Sequence, residues 1–415
     1  MSVFSQIISI IGTLLFQVIK ATWWIVLPVV FLFKIKNLIT AKQRGEYAAS
    51  LRWTTLEVIL PEEVTKTPKA MENVLAGLHG VWHPKMKNKP LPDVFSLEMA
   101  GIEGELHFYV RCRADYRNFV ESKIFAQYPN VSIKEVEDYT SRMDASLLRK
   151  NHDFWGADYA LTRDSAYPIK GWDDFEDMEE ERRMDPLSQL AELAAKLEKG
   201  EQIWLQIVIS PVLSEVEGKA ERTRDQLIGR SAPQQGLGLG KELSKVFSEM
   251  IDLLISGNPP GALSGGGEDS KSENKRLTPG EEFSIKKIEE KAQKPRFNTM
   301  IRALYIAENE VMHKEHIAGL HGFFRQFTGM NDIQPEQDSI SDQNYWILED
   351  ARDYIHKKKL LGAYKNRALR FVASPYAMST EEIATLYHYP GRVVQAPFMP
   401  RTPGKTSEPP RGLPT

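Results

Sequence analysis

Cysteine is almost missing from this chain. Its 415 residues hold one, Cys112. Disulfides within the chain are therefore excluded, as are thiolate metal sites and a CxxC redox pair. Cys112 ends an apolar run and reads as a small core residue. An excess of one charge is missing too: 53 Lys and Arg against 56 Asp and Glu leave a formal net charge of −3. A broad nucleic-acid-binding surface is not implied by that balance, although a local patch is compatible with it.

Catalytic patterns are equally scarce. Gly236-Leu-Gly-Leu-Gly240-Lys241 imitates a phosphate loop, but Gln235 stands where the first glycine belongs and Glu242 replaces the Ser or Thr. Gly404-Lys405-Thr406 has the right ending, yet Met399 replaces the first glycine, and Pro409-Pro410 forbid the helix that would hold the phosphates. His313 and His316 lie one turn apart with Glu315 between them, and His321 follows, but neither H-E-x-x-H nor H-x-x-E-H is formed. The acidic run from Asp173 to Glu181 reads as a solvated loop. No Ser–His–Asp set or spaced carboxylate pair emerges. The expectation is a non-enzyme with no catalytic, cofactor-binding or metal-binding residue.

What is present in quantity is apolar sequence at the start. Phe4 to Phe33 reads FSQIISIIGTLLFQVIKATWWIVLPVVFLF. As a helix, Ile7–Phe33 would be about 40 Å long, enough for a hydrocarbon core of about 30 Å. Lys20 falls mid-segment; it would snorkel or face a second transmembrane helix. Lys34, Lys36, Lys42 and Arg44 follow the stretch and no basic residue precedes it. The positive-inside rule then predicts a single-pass protein of the inner (cytoplasmic) membrane, with the bulk of the chain in the cytoplasm.

Two globular units are expected after this anchor (1–45). In 46–145, strands at Trp53–Leu60, Phe95–Ala100, Glu105–Cys112 and Val131–Val136 alternate with helices. Thr67-Pro68 opens the first helix, with Met71, Val74, Leu75 and Leu78 on one face. Tyr116, Phe119, Val120 and Ile124 mark the second. The second unit, 153–375, repeats β-α-β-β-α-β around a flexible insertion at about 213–296. Its strands are expected at Asp158–Thr162, Ile203–Ile209, Thr299–Ala307 and Leu369–Ala373; helices follow Asp185-Pro186 and run over Val311–Phe327 and Tyr345–Asn366. The expected fold class is thus α+β: a transmembrane helix followed by two ferredoxin-like domains, the second with a long, partly disordered insertion. A short helix and Pro-rich tail occupy 376–415.

Ala76-Gly-Leu-His-Gly80 recurs as Ala318-Gly-Leu-His-Gly322, in each case on a helix after a strand. Duplicated packing is expected, with the glycines allowing close helix–sheet approach. Lys357, Lys358, Lys359, Lys365, Arg367 and Arg370 form the densest basic cluster and are the candidate nucleic-acid or lipid contacts. The competing expectation is a solvated helix C-terminus, which cations favour.

STEEIATLYHYPG (379–391) followed by SEPPRGLPT (407–415) resembles the junction in membrane-anchored ATPases of the type IV secretion coupling-protein and FtsK/HerA-like class from uncultured bacterial lineages. TPKAMENVLAGLHG (67–80), YPIKGWDDFED (167–177) and DPLSQLAELAAKLEKGEQIWLQIVISP (185–211) extend the likeness over nearly the whole chain. These stretches resemble the non-ATPase region of such proteins, a domain of unknown function without known catalytic residues. In them the motor domain follows the junction, where this chain ends at Thr415. The resemblance implies a split arrangement: an accessory or scaffold subunit here, and a P-loop DNA-translocating ATPase on another polypeptide, encoded nearby. Partners implied are the membrane, that ATPase, DNA, and a second copy of the chain. The alternative is a stand-alone membrane-associated module for nucleic acid or lipid.

Overall fold

Strands form where β-branched and aromatic residues run together, and most of these runs are buried on both faces. In the computed structural model they are β1 (Trp53–Pro61), β2 (Phe95–Ile102), β3 (Glu105–Arg113), β4 (Ser132–Val136), β5 (His152–Leu161), β6 (Glu201–Val212), β7 (Arg296–Glu308), β8 (Ile333–Pro335), β9 (Tyr376–Ser379) and β10 (Arg401–Thr402). The described residues are 34–61, 64–81, 91–175, 185–212, 278–342, 349–391 and 401–402, less 37, 41 and 44, together with positions 17, 20, 24, 31 and 32. Among the described residues the helices that pack with the strands are α1 (Pro68–His79), α2 (Arg117–Gln127), α3 (Ser188–Ala195), α4 (Pro279–Gln293), α5 (Lys314–Arg325), α6 (Glu349–Lys365) and α7 (Thr380–Leu386), and the described residues of 34–50 are also helical.

All ten strands belong to one sheet, ordered β10-β1-β3-β2-β6-β7-β5-β8, with β4 beside β1 and β9 beside β7. Every pairing is antiparallel except the short β1–β10 contact, where Leu60 and Pro61 lie beside Arg401 and Thr402. The centre of the sheet is the β2–β6 joint, in register from Phe95↔Ile209 to Ile102↔Gln202. On one face α1, α2, α3, α5 and α7 pack over a single apolar core running from Leu56 to Tyr389. On the other, α6 and the 139–148 segment cover Ala100, Tyr109, Trp204, Leu304 and Ile306.

The expected fold class is corrected here. Two separate ferredoxin-like domains are not formed, because β2 pairs along its whole length with β6 and one core spans both sets of strands. All eight residues of β2 are buried, as an interior strand requires and an edge strand would not. The expected spanning helix and inner-membrane placement are corrected as well. Among the described residues no helix is long and apolar enough to cross a membrane. Most of Phe4–Phe33 lies outside the described residues. Lys20 is helical and exposed.

Local differences have local causes. Leu369–Ala373 is not a strand: Val372 and Ala373 donate their backbone N–H groups to the buried Asp158 carboxylate instead of to a neighbouring strand. The closing strand is β9, which pairs with β7 from Thr299 to Arg296. At 279–293, within the expected insertion, α4 opens with a complete capping box between Thr278 and Glu281. Gln235–Glu242 and Met399–Pro400, with all but Arg401 and Thr402 of the tail imitation of a phosphate loop, lie outside the described residues.

Gly156 shows how tightly the sheet and α6 meet. A Cβ there would stand 2.3 Å from Leu304 Cδ2 and 3.2 Å from both Ala303 O and Leu360 Cδ2. Gly156→Ala is expected to cost about 1–3 kcal/mol through overpacking. Urea denaturation checks this, with a drop in midpoint at unchanged m.

Candidate functional site

Four central strands each place one polar residue in the middle of an apolar run: Glu98 on β2, Gln206 on β6, Arg302 on β7 and Asp158 on β5. The registers align them, Glu98↔Gln206, Gln206↔Arg302 and Asp158↔Arg302. Directly paired residues share a face, so the four form a row across the sheet beneath α6. All four are fully buried. Gln206 Nε2 donates to Glu98 Oε1 at 3.2 Å, and Arg302 Nε donates to Asp158 Oδ1 at 2.6 Å. Arg302 Nη1 also reaches the Ala363 and Ala368 carbonyls.

Arg367 closes this row from above. Its Nε and Nη2 donate to the two Glu98 oxygens at 2.8 and 3.0 Å, and its Nη1 and Nη2 to the Asp138 carboxylate at 2.6 and 2.8 Å. Arg111 also pairs with Asp138. Arg367 has a φ of +49°, a left-handed conformation held by these bonds after α6 ends. Burial pushes the Glu98 carboxyl up, but the Arg367 charge and hydrogen bonds from Arg367, Ser96 and Tyr139 bring it below the ordinary value. Asp138 is likewise held well below the usual carboxylate range: burial raises it and the Arg367 contacts outweigh that. The arrangement is sealed and internally satisfied, so its chemistry is cohesion of the two halves of the sheet.

The C-terminal junction is the second cluster. Ser379 and Glu382 form a full capping box at the start of α7. Glu382 also accepts from Lys291 Nζ at 2.8 Å and from the Ile169 backbone N–H at 3.0 Å. Lys294 bridges Glu381 and Glu72 at 2.6 and 3.1 Å. His388 Nε2 lies 3.1 Å from Asp185 Oδ1, and Asp185 Oδ2 accepts from Gly391 N–H. Tyr387 and Tyr389 pack edge-on against Phe108. A cavity of about 330 Å³ opens beside α7, lined by residues including Gly171, Asp173, Phe283, Lys287, Glu381 and Glu382. Segment 379–391 thus ties α1, α4 and the 167–171 and 185–187 loops together.

The six cations expected as a patch are split. Lys357 is buried among Asp153, Asp342 and Asp353 at 2.8 to 3.4 Å, and Arg367 is the inward bridge just described. Lys365 donates to the Met143 carbonyl at 3.0 Å. Lys358, Lys359 and Arg370 are exposed. Of the histidines, His316 Nε2 sits 3.4 Å from Glu201 Oε1, beside Tyr305. Among the described residues no three His, Cys, Asp or Glu side chains gather as metal ligands. Cys112 is buried, and its thiol is pushed up to about 12 by burial, so it is not a nucleophile at neutral pH.

The repeated pentapeptide does not serve helix–sheet approach. A Cβ on Gly77 would meet the Lys123 side chain of α2, and one on Gly319 the Leu193 side chain of α3. Both glycines therefore let one helix come close to another.

A family model for a domain of unknown function, DUF8128, matches residues 36–399. The chain belongs to that family. Among curated proteins none shows a significant match to it. The DUF8128 match takes in both halves of the sheet, the buried row and the C-terminal junction. The row and the junction in this DUF8128 chain were not marked out as sites by the sequence. One signal was present: Glu98, Gln206 and Arg302 each stand between apolar neighbours in mid-strand.

Proposed function

We propose that this DUF8128 chain is a non-catalytic scaffold, an accessory subunit that recruits or positions a DNA-translocating P-loop ATPase of a type IV secretion or conjugation-like system. The observation that carries this reading is the junction. Segment 379–391 resembles the stretch that precedes the motor in such ATPases, and here its residues from Ser379 to Pro390 are buried in the fold, apart from the half-buried Glu381. Gly391 is held at a fixed point, its N–H donating to Asp185, and Arg401–Thr402 pair with β1. Whatever engages the tail is then held in one orientation relative to the sheet, which is what a positioning subunit requires. The dense charge networks fit the same reading, since they spend their hydrogen bonds on joining the halves.

The alternative, a nucleic-acid or lipid module acting through the 357–370 cations, draws less support, because Lys357 and Arg367 are committed internally. Affinity capture of the full-length chain after in-cell crosslinking tests the proposal. A P-loop ATPase identified by mass spectrometry is expected, and removal of residues 392–415 should abolish its recovery. Recovery of no P-loop ATPase by the intact chain overturns it.

A further inference from the structure

The two copies of the Ala-Gly-Leu-His-Gly sequence use their histidines differently. His79 is spent structurally: its Nε2 lies 3.2 Å from the Val212 carbonyl, and its ring packs edge-on against Phe297 at 5.3 Å. His321 instead walls a cavity of about 280 Å³ at the end of α5, together with Arg325, Thr328, Asp332 and Gln334. His321, Arg325 and Thr328 follow at i, i+4 and i+7, one continuous face of α5 and the turn after it. Asp332 and Gln334 belong to the same lining, at and beside the edge strand β8.

The polar groups of this cavity are not spent on one another. Asp332 Oδ1 is buried and has no hydrogen-bond partner. The Asp332 backbone is nevertheless fixed, its N–H donating to Asn331 Oδ1 and its carbonyl accepting from Thr162, both at 3.0 Å. These bonds fix the main chain from which the carboxylate projects. Among the described residues Arg325 makes no ion pair. His321 Nδ1 faces the Tyr159 hydroxyl at 3.5 Å. With Nδ1 accepting there, Nε2 carries the proton and is a donor toward the cavity. Burial and the nearby Arg325 hold His321 below its ordinary value, so the ring is neutral at neutral pH.

A buried carboxylate oxygen without a donor is costly and persists where a ligand supplies the donor. A cation and an N–H donor opposite it call for an anionic group on the same ligand. The volume stands at the low end of small-molecule sites, near 300 Å³, which excludes anything much larger than an amino acid. We propose that this cavity binds a small zwitterion of the α-amino-acid class, with its carboxylate on Arg325 and His321 Nε2 and its ammonium on Asp332. The assignment does not depend on the scaffold role of the chain.

The full-length protein is melted at neutral pH with each common L-α-amino acid in turn at about 5 mM, and with acetate and ethylamine as half-ligands. At least one amino acid should raise Tm by about 2 °C or more, and the half-ligands should not. Arg325→Met, at an exposed position, and Asp332→Asn should each weaken the affinity about tenfold or more, removing the rise. Without ligand, Asp332→Asn should melt at the wild-type temperature or above, because the buried Oδ1 has no hydrogen bond to lose. No rise with any amino acid, an equal rise with acetate, or a rise that survives both substitutions overturns the proposal. A fall in the unliganded Tm of Asp332→Asn also overturns it, because it shows that the Asp332 carboxylate is already satisfied within the protein.

Discussion

Arg367→Met should destabilise the protein by about 3–5 kcal/mol, the cost of leaving one partner of a buried ion pair uncompensated. The arithmetic rests on what remains. Glu98 is fully buried, and two of its hydrogen bonds come from Arg367. Without them it keeps Ser96 Oγ at 2.6 Å, Gln206 Nε2 at 3.2 Å and the Tyr139 hydroxyl, all neutral donors. Asp138 keeps Arg111 and Thr140 and suffers less. Met preserves most of the side-chain volume and leaves the residue at the same positive φ, so the loss reports the charge network rather than a cavity or a relaxed backbone. The double variant Arg367→Met, Glu98→Gln should recover a large share of the loss, with a coupling of about 1–3 kcal/mol in a double-mutant cycle. Additive single effects would show that Glu98 and Arg367 do not act as a pair.

The same substitution carries a pH signature. In the wild type, Glu98, Asp138 and Asp185 lie below their ordinary values, so they contribute stability that is complete above the ordinary carboxylate range, about 4. That contribution is lost as pH falls through their lower folded values. In Arg367→Met the burial of Glu98 is no longer opposed by the guanidinium, and its carboxyl moves above the ordinary value. A group raised in this way stabilises the folded state as it takes up a proton. The gap between wild type and variant is therefore expected to narrow as pH falls from about 7 to about 4. Chemical denaturation at several pH values measures it, and a constant gap would place the loss elsewhere than in Glu98.

Much of the secondary structure was legible because it rests on local physics. Met71, Val74, Leu75 and Leu78 lie on one face of α1, and all four are buried. The Ser379–Glu382 capping box needed four residues of sequence, and it is formed. What was not legible depends on contacts between distant residues. The pairing of β2 with β6 joins residues more than a hundred positions apart, and the alternation within each strand carries no record of its neighbour. The basic run Lys357–Arg370 looked like one solvated face because its partners, Asp153, Glu98 and Asp138, lie more than 200 residues upstream. Only a polar residue stranded in an apolar strand hinted at them. His321 and His79 share five residues of local sequence and differ in role, since Val212 and Phe297 face one and an open cavity the other.

Glu382→Ala is the second large effect, again about 3–5 kcal/mol, and its asymmetry with Lys291→Met is the sharper expectation. Glu382 is one acceptor for four donors: the Ser379 N–H at 2.8 Å, Ser379 Oγ at 3.1 Å, Lys291 Nζ at 2.8 Å and the Ile169 N–H at 3.0 Å. Removing it breaks the capping box, worth about 1 kcal/mol by itself, leaves the Ile169 N–H unpaired and strands the buried Lys291 ammonium. Lys291 keeps only the Tyr167 carbonyl, at 3.4 Å. Lys291→Met removes one donor of the four and leaves Glu382 with three, so it should cost clearly less, about half. Because α7 packs on α1 and the junction ends at Gly391, loosening α7 also frees the point from which the C-terminal chain departs. Glu382→Ala should therefore raise amide hydrogen exchange across 379–391 and α1 more than across the β2–β6 joint, whereas Arg367→Met should do the reverse. Equal protection loss in both regions from either variant would mean that the junction and the buried row unfold as one unit. In that case the tail could not be oriented independently of the sheet.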